Sequence, residues 1–362
     1  MSTFKEQWAQ LLAPNRKTGT GMKLDTLDAV RNPFLVDYDR IIFSSSFRRL
    51  ARKTQVHPLV RNDHIHNRLT HSLEVSCVGR SLGLGVGDAL QRRGDLPEGC
   101  TPDHLGQIIQ AACLAHDIGN PPFGHAGEEA IRDWFKDSVN KEQYFKNLLP
   151  AEWADFTAFD GNAQGFRVIN ALENNKDRGG FRLTFPVIAA LVKYPRSAYE
   201  AQGVGKSKFN FYTAERELFA EIFGAMGLAE GAGWRRHPLS YLLEAADDIC
   251  YRIIDMEDAR ELRIITYADF KAAMTPLLDV NCLDDPRLDS MDSDRRRTSM
   301  LRTTAMGRMI PSITQTFMDN YEAIMEGRLD GCLLNHARED VAGFMREAGR
   351  VFNSKIMNNP QK

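Results

Sequence analysis

Ala115-His116-Asp117-Ile118-Gly119-Asn120-Pro121-Pro122-Phe123-Gly124-His125-Ala126-Gly127-Glu128-Glu129 places two imidazoles and three carboxylates within fifteen residues, where a helical pattern stops. Packing explains such a stretch poorly. Ionisable side chains are seldom fully buried without partners, and the glycines and prolines prevent a continuous helical face. The stretch reads as half of a metal site, so the remaining ligands must come from elsewhere in the chain.

Upstream, Thr101 is placed to cap a helix whose first turn holds Pro102 and Asp103, suited to the first helical position and to the positive end of the helix dipole. Leu105, Ile108, Ile109, Ala112 and Ala115 form its apolar stripe, which runs into His116-Asp117 just before Gly119. The same 3.6-residue periodicity recurs along the chain while strand-like alternation is rare, which points to a mostly α fold. Helices are expected at 69–90, 125–137, 141–149, 163–174, 184–193, 213–226, 238–262, 301–327 and 336–354. Residues 1–24 read as a short helix and then a Gly/Thr loop, and 54–66 as a short hairpin or irregular loop interrupted by Pro58 and Asn62-Asp63. The charge-dense stretch 284–298 reads as a mobile surface loop.

With 362 residues, 43% hydrophobic and 26% charged, the chain can bury a substantial core. The formal net charge of −2 argues against bulk electrostatic attachment to nucleic acid, leaving room for a local basic patch. Six scattered cysteines form no CxxC pair, and Cys77, Cys113 and Cys250 fall in apolar helical patterns as reduced core thiols. The N-terminus lacks a signal-peptide apolar region, and no run of about 18 apolar residues suggests a membrane span. A cytoplasmic location is the expectation.

His71, in Arg68-Leu69-Thr70-His71-Ser72-Leu73-Glu74-Val75, opens a helix and offers another imidazole. His116 and Asp117 are adjacent, and in a continuous helix their side chains would diverge by about 100°. They reach one ion only where the helix ends, as Gly119 allows. A fourth ligand should come from an otherwise apolar helix. In 238–262 the stripe Leu239, Leu243, Ala246, Cys250, Ile253 and Ile254 runs beside Asp247, which shares a face with Tyr251 and Asp255 at i, i+4 and i+8. A salt bridge at the core edge would explain Asp247 taken alone; beside His71 and the His-Asp doublet, the metal reading is preferred.

Two imidazoles and two carboxylates suit Mn²⁺, Fe²⁺, Co²⁺, Ni²⁺ or Zn²⁺, with Mg²⁺ a further working ion. His125, beyond the Pro-Pro-Phe-Gly turn, is placed to return as a general acid/base with Glu128 or Glu129 setting its tautomer. Arg40, Arg48, Arg49, Arg52, Lys53, Arg61 and Arg68 fall within 29 residues. Most such runs are solvated faces, but Arg68 lies three residues before His71 and can pair with a phosphate held at the metal. Lys193 in Leu191-Val192-Lys193-Tyr194-Pro195 can serve similarly.

The H…HD…D pattern resembles the HD superfamily of metal-dependent phosphohydrolases. The blocks Phe47–Val56, Arg68–Val75, His116–Glu128 and Glu244–Ile249, in that order, resemble the dGTPase-like deoxynucleoside triphosphate triphosphohydrolases from about residue 28 to the low 350s. The resemblance implies a single all-α unit over 1–362, with a metal-bearing core at 66–256 and a C-terminal helical extension at 257–362. It also implies homo-oligomeric assembly and hydrolysis of a dNTP at the α-phosphorus to deoxynucleoside and inorganic triphosphate. By motif, His71, His116, Asp117 and Asp247 would bind the metal (Mn²⁺ or Mg²⁺ first) and His125 with Glu128 would be the catalytic pair. Arg68 would hold the α-phosphate and Gln55 would face the sugar 3′-hydroxyl. Tyr251 and Asp255 would line the sugar and phosphate side, with Tyr251 set where a ribose 2′-hydroxyl would clash. Members of that family continue through further C-terminal helices, so the extension is expected to be incomplete. Two other readings stay open: an HD nucleotidase or phosphodiesterase, and a non-catalytic nucleotide or single-stranded DNA binding protein using the basic 40–68 segment. A nucleotide or single-stranded DNA effector is left undecided.

Overall fold

A computed structural model describes residues 3–18, 21–27, 30–173 and 179–356. The expected Gly/Thr loop falls partly on residues 19–20, and the closing Asn-Asn-Pro-Gln-Lys lies wholly outside the described residues.

Helices dominate. In chain order they begin with α1 (Phe4–Leu11), α2 (Pro33–Ile42), α3 (Ser45–Arg49), α4 (Arg68–Arg93) and α5 (Pro102–Ala115). Next come α6 (Gly124–Lys136), α7 (Ser138–Tyr144), α8 (Pro150–Thr157), α9 (Gly161–Arg167), α10 (Phe185–Leu191), α11 (Ala198–Gly203) and α12 (Arg216–Ala225). After α13 (Pro238–Glu261) follow α14 (Tyr267–Met274), α15 (Val280–Leu283), α16 (Pro286–Asp289), α17 (Asp294–Asp319), α18 (Tyr321–Met325) and α19 (Glu339–Val351). Two antiparallel hairpins are present among the described residues: β1 (Asn15–Thr18) with β2 (Gly21–Leu24), and β3 (Ala229–Glu230) with β4 (Gly233–Trp234).

The core is built around α4, α5 and α13. Val75, Leu82, Val86, Leu105, Ile108, Ile109, Leu243, Ala246, Cys250 and Ile253 are all fully buried in one continuous apolar cluster. Gly79, Gly83 and Gly87 repeat every four residues along α4 and let α5 approach closely. A Cβ at Gly83 would stand 2.8 Å from the Leu105 carbonyl oxygen and from Gly106 Cα. Buried ion pairing fastens the first hairpin to this core, since Arg16 bonds Asp25 and Asp37, and Asp37 accepts the Thr184 amide at 2.7 Å.

Several sequence expectations are corrected. Of the two readings of 54–66, the irregular loop holds and the hairpin does not: one bridge joins Thr54 to Asn67, and the Thr54 hydroxyl folds back onto the His57 carbonyl at 2.6 Å. The N-terminal hairpin stands at 15–24 instead. Residues 284–298 hold α16 and the first turn of α17. Asp285 and Pro286 cap the former, Leu288 is buried, and Arg297 ties the two helices through the Leu288 and Met291 carbonyls. Its charges are a solvated helix face, not a loop. The helix expected at 141–149 starts earlier because Asp137 caps it and stops at Tyr144, and 301–327 divides at Asn320. Cys77 is exposed, opposite the buried Val75–Val78–Leu82 line, whereas Cys113 and Cys250 are core thiols as expected.

The turn after α5 packs on the start of α9. A Cβ on Gly119 would lie 2.0 Å from the Gly165 amide and 2.2 Å from the Gly161 carbonyl. Gly119→Ala is therefore expected to destabilise the protein by about 3 kcal/mol in chemical denaturation, the scale of overpacking against an unyielding backbone. An unchanged midpoint would show that this contact does not constrain the fold.

Candidate active site

Three helices meet at one end of the core. His71 lies in the first turn of α4, which Asn67 caps through the Leu69 and Thr70 amides. His116 terminates α5, followed by Asp117 in the turn. Asp247 projects from the middle of α13. His71, His116 and Asp117 each offer a ligand atom, all within 4.8 Å of one another. Asp247 Oδ1 joins them, 3.1 Å from His71 Nε2 and 3.5 Å from His116 Nε2.

The donor set fits a divalent cation. His116 Nδ1 donates to the Cys113 carbonyl at 2.6 Å, so a neutral ring turns an Nε2 lone pair toward Asp117 Oδ1 at 3.6 Å and Asp247 Oδ1 at 3.5 Å. A lone pair facing two carboxylates is repulsive without a proton or cation between them. Burial opposes a charge on His116, yet Asp117 and Asp247 outweigh it and raise its pKa. Burial likewise works against the Asp117 carboxylate, but Arg68 and the two imidazoles bring its pKa down to about 2. Lys193 and His116 hold Asp247 ionised in the same way against its burial.

The other expected residues surround a cavity of about 680 Å³ lined by the four candidate ligands together with Gln55, Arg68, His125, Glu128, Lys193 and Tyr251. Arg68 donates from one guanidinium nitrogen to Asp117 Oδ2 at 2.7 Å, while its buried Nε has no hydrogen-bond partner. Lys193 donates to Asp247 Oδ2 at 2.8 Å. Each cation thus touches a candidate ligand and faces the cavity. The ring of Tyr251 packs 5.4 Å from that of Phe352, which closes the same side.

His125 opens toward solvent, its side chain 85% exposed, and its Nδ1 lies 3.0 Å from Glu128 Oε2. Glu128 is buried and also accepts the Gly161 amide at 2.7 Å and Arg132 at 3.3 Å. Burial raises its pKa, but the bonds from His125 and Gly161 and the charge of Lys208 bring it below the ordinary value. Glu129, the other expected partner of His125, is exposed because it points away on the next helical position. Asp255 is buried, beyond the residues that line the cavity. Eight residues along α13 carry it about 12 Å from Asp247 on the same helix face.

Sequence reasoning missed several cavity residues. Asn120 bonds Asp117, Lys208 lies 2.9 Å from Asp160, and Tyr194, Asn162, Asp248 and Phe352 also line the cavity. Asn120 stood inside the opening stretch and could have been found there; the others lie in ordinary helical or loop patterns. Of the basic run, Arg48, Arg49, Arg52 and Arg61 are exposed, Arg40 bonds the Arg182 carbonyl, and Lys53 bonds that of Asn120. No described helix is long and apolar enough to cross a membrane.

The sequence also compares closely with known proteins. An HD-domain family model matches residues 68–153. A deoxyguanosinetriphosphate triphosphohydrolase-like protein of Pseudomonas aeruginosa is 44% identical over 361 residues, covering 98% of this chain and 80% of its own length. One from Synechocystis is 41% identical over 345 residues, covering 92% and 76%. A deoxyguanosinetriphosphate triphosphohydrolase of Serratia proteamaculans is 33% identical over 353 residues, covering 85% and 68%.

The start of α4 is set by His66, one residue before its cap. His66 Nδ1 lies 2.7 Å from Asp258 on α13, and Nε2 lies 3.3 Å from Glu74 on α4. Burial disfavours its charge, but these carboxylates outweigh it and raise the pKa to about 10. That exceeds the unfolded value of about 6.5, so the stabilisation is complete below pH 6.5 and is lost as the pH rises through 10. His66→Gln is expected to cost about 2 kcal/mol at pH 6, after allowing for solvent screening, and to lose that excess above pH 10. Denaturation free energies at both pH values measure the gap; a gap independent of pH would leave His66 a packing role alone.

Proposed function

The chain belongs to the deoxyguanosinetriphosphate triphosphohydrolase-like family of HD-domain proteins, and from that membership we propose that it hydrolyses a deoxynucleoside triphosphate at the α-phosphorus, releasing deoxynucleoside and inorganic triphosphate. The observation that carries this reading is the convergence of His71, His116, Asp117 and Asp247 in the cavity that also holds the His125–Glu128 pair. These four residues would hold a divalent ion, with Mn²⁺ or Mg²⁺ the first candidates. Such an ion supplies Lewis acidity and a water acidic enough to ionise near neutral pH.

The chain's own residues do the rest. Glu128 accepts a hydrogen bond from His125 Nδ1–H and so turns Nε2 to the cavity. There Nε2, having taken a proton from the solvent-facing mouth, donates that proton to the leaving sugar oxygen. Arg68 and Lys193 exchange carboxylate contacts for phosphate oxygens, drawing the triphosphate against the ligands. Gln55 faces the sugar 3′-hydroxyl, and Tyr251, backed by Phe352, stands where a ribose 2′-hydroxyl would intrude. We carry homo-oligomeric assembly, a cytoplasmic location and control by a nucleotide or single-stranded DNA as parts of the same proposal, supported by family resemblance.

A product-resolved assay of the four dNTPs and four NTPs, run with Mn²⁺ and with Mg²⁺, is expected to show triphosphate released from at least one dNTP. Release of single phosphates would instead favour a nucleotidase. His116→Ala and Asp117→Ala should abolish turnover and chelation should reversibly stop it, whereas His125→Ala should slow it by about 10²–10⁴-fold, the usual weight of one acid–base group. Tyr251→Ala should raise the ratio of NTP to dNTP turnover; an unchanged ratio would remove Tyr251 from sugar discrimination.

A further inference from the structure

A second cavity, of about 430 Å³, lies behind the helix that carries His125 and Glu128. One face each of α6, α8 and α9 lines it, with the turn beginning at Thr213 closing one end. Phe135, Phe156 and Phe159 form an aromatic wall, the first two rings 4.8 Å apart. At the polar end Asp155 Oδ2 accepts the Thr213 amide at 2.7 Å, while the buried Oδ1 has no hydrogen-bond partner. The buried Tyr212 hydroxyl has none either.

The chemistry of this end selects its ligand. Arg167 stacks over the Tyr212 ring at 4.4 Å and commits its guanidinium to Glu215 at 2.7 and 3.1 Å. With Asp155 and Glu152 also present, the lining offers phosphate no uncommitted cation. An unsatisfied buried acceptor calls for an N–H donor, and flat aromatic walls call for a planar ring. Burial pushes the Asp155 carboxyl up to about 6 against the Thr213 bonds, and an N–H donor on Oδ1 would oppose that shift.

We propose that this cavity binds an uncharged guanine-type purine nucleoside, its base against Phe135, Phe156 and Phe159 and its N1–H donating to Asp155 Oδ1, and that occupancy alters the setting of Glu128. The connection is short. The Phe159 carbonyl accepts Arg132 Nε at 2.8 Å, Arg132 donates to Glu128 at 3.3 Å, and the Gly161 amide donates to Glu128 at 2.7 Å. The 159–161 corner is therefore at once a wall of this cavity and the cradle of Glu128. The site stands on the cavity alone; the choice of a nucleoside among N–H-bearing heterocycles rests on the hydrolase reading, in which a nucleoside is the product.

Calorimetric titration of deoxyguanosine into the full chain stripped of metal tests the site without any activity readout. Saturable one-to-one binding is expected, weakened about tenfold or more by Asp155→Asn, the loss of one charge-assisted bond, and removed by Ala214→Phe, which fills the cavity. Asp155→Asn keeps the test meaningful if the filled variant fails to fold. Absence of binding to the unsubstituted chain, or an affinity unchanged in the folded cavity variants, would overturn the proposal. In the loaded enzyme deoxyguanosine should lower kcat with little change in KM, and Asp155→Asn should blunt that effect. Failure of the hydrolase reading would show separately, as absence of triphosphate in the product assay.

Discussion

The carboxylate of Asp247 ties the site together. One oxygen lies within reach of His71 and His116, from α4 and α5, and the other is held by Lys193 just beyond α10. Withdrawing such charges from water costs several kcal/mol per ion unless opposite charge and good geometry compensate. Asp117 meets the same requirement through Arg68. The two cations that suit a phosphate are therefore the same two that let the acidic ligands be buried in the protein alone. On the proposed reading, substrate recognition and folding of the site draw on one set of charges.

That convergence requires the supporting helices to lie close. Gly79, Gly83 and Gly87 remove the side chains that would hold α5 off α4, and Gly119 does the same where the turn carrying Asp117 meets α9. A methyl group at either contact would meet backbone or neighbouring side-chain atoms and shift the ligand-bearing segments. Since a displacement near 1 Å is enough to impair positioned catalysis, these glycines belong to the chemistry as much as to the packing.

The sequence made much of this legible. A sharp helix end between His116-Asp117 and Gly119 pointed to candidate ligands, and the apolar stripe beside Asp247 pointed to the helix that brings a further carboxylate to them. What it hid was mostly non-local. The pairing of Arg297 with Leu288 and Met291 turned a charge-rich stretch into helix, and the exposed side of α4 claimed Cys77. Spacing placed Asp255 on the face of Asp247, and two turns of rise set it deeper along α13, beyond the cavity's lining residues. Periodicity gives the direction in which a residue points and says little about how far along the axis a partner waits.

Glu128 shows why the arrangement is more than a cluster of charges. A carboxylate exposed to water would orient His125 weakly, because water would compete for the bond; one buried without other donors would protonate and lose its hold. Glu128 avoids both outcomes. It is buried, and the Gly161 amide and the charge of Lys208 help to keep it ionised while its bond to His125 leaves that ring largely in the solvent-facing mouth. The imidazole proposed for proton transfer is thus free to move while its tautomer is set from behind. Any change in the 159–161 corner reaches the imidazole through this single carboxylate, without needing to disturb the candidate metal ligands.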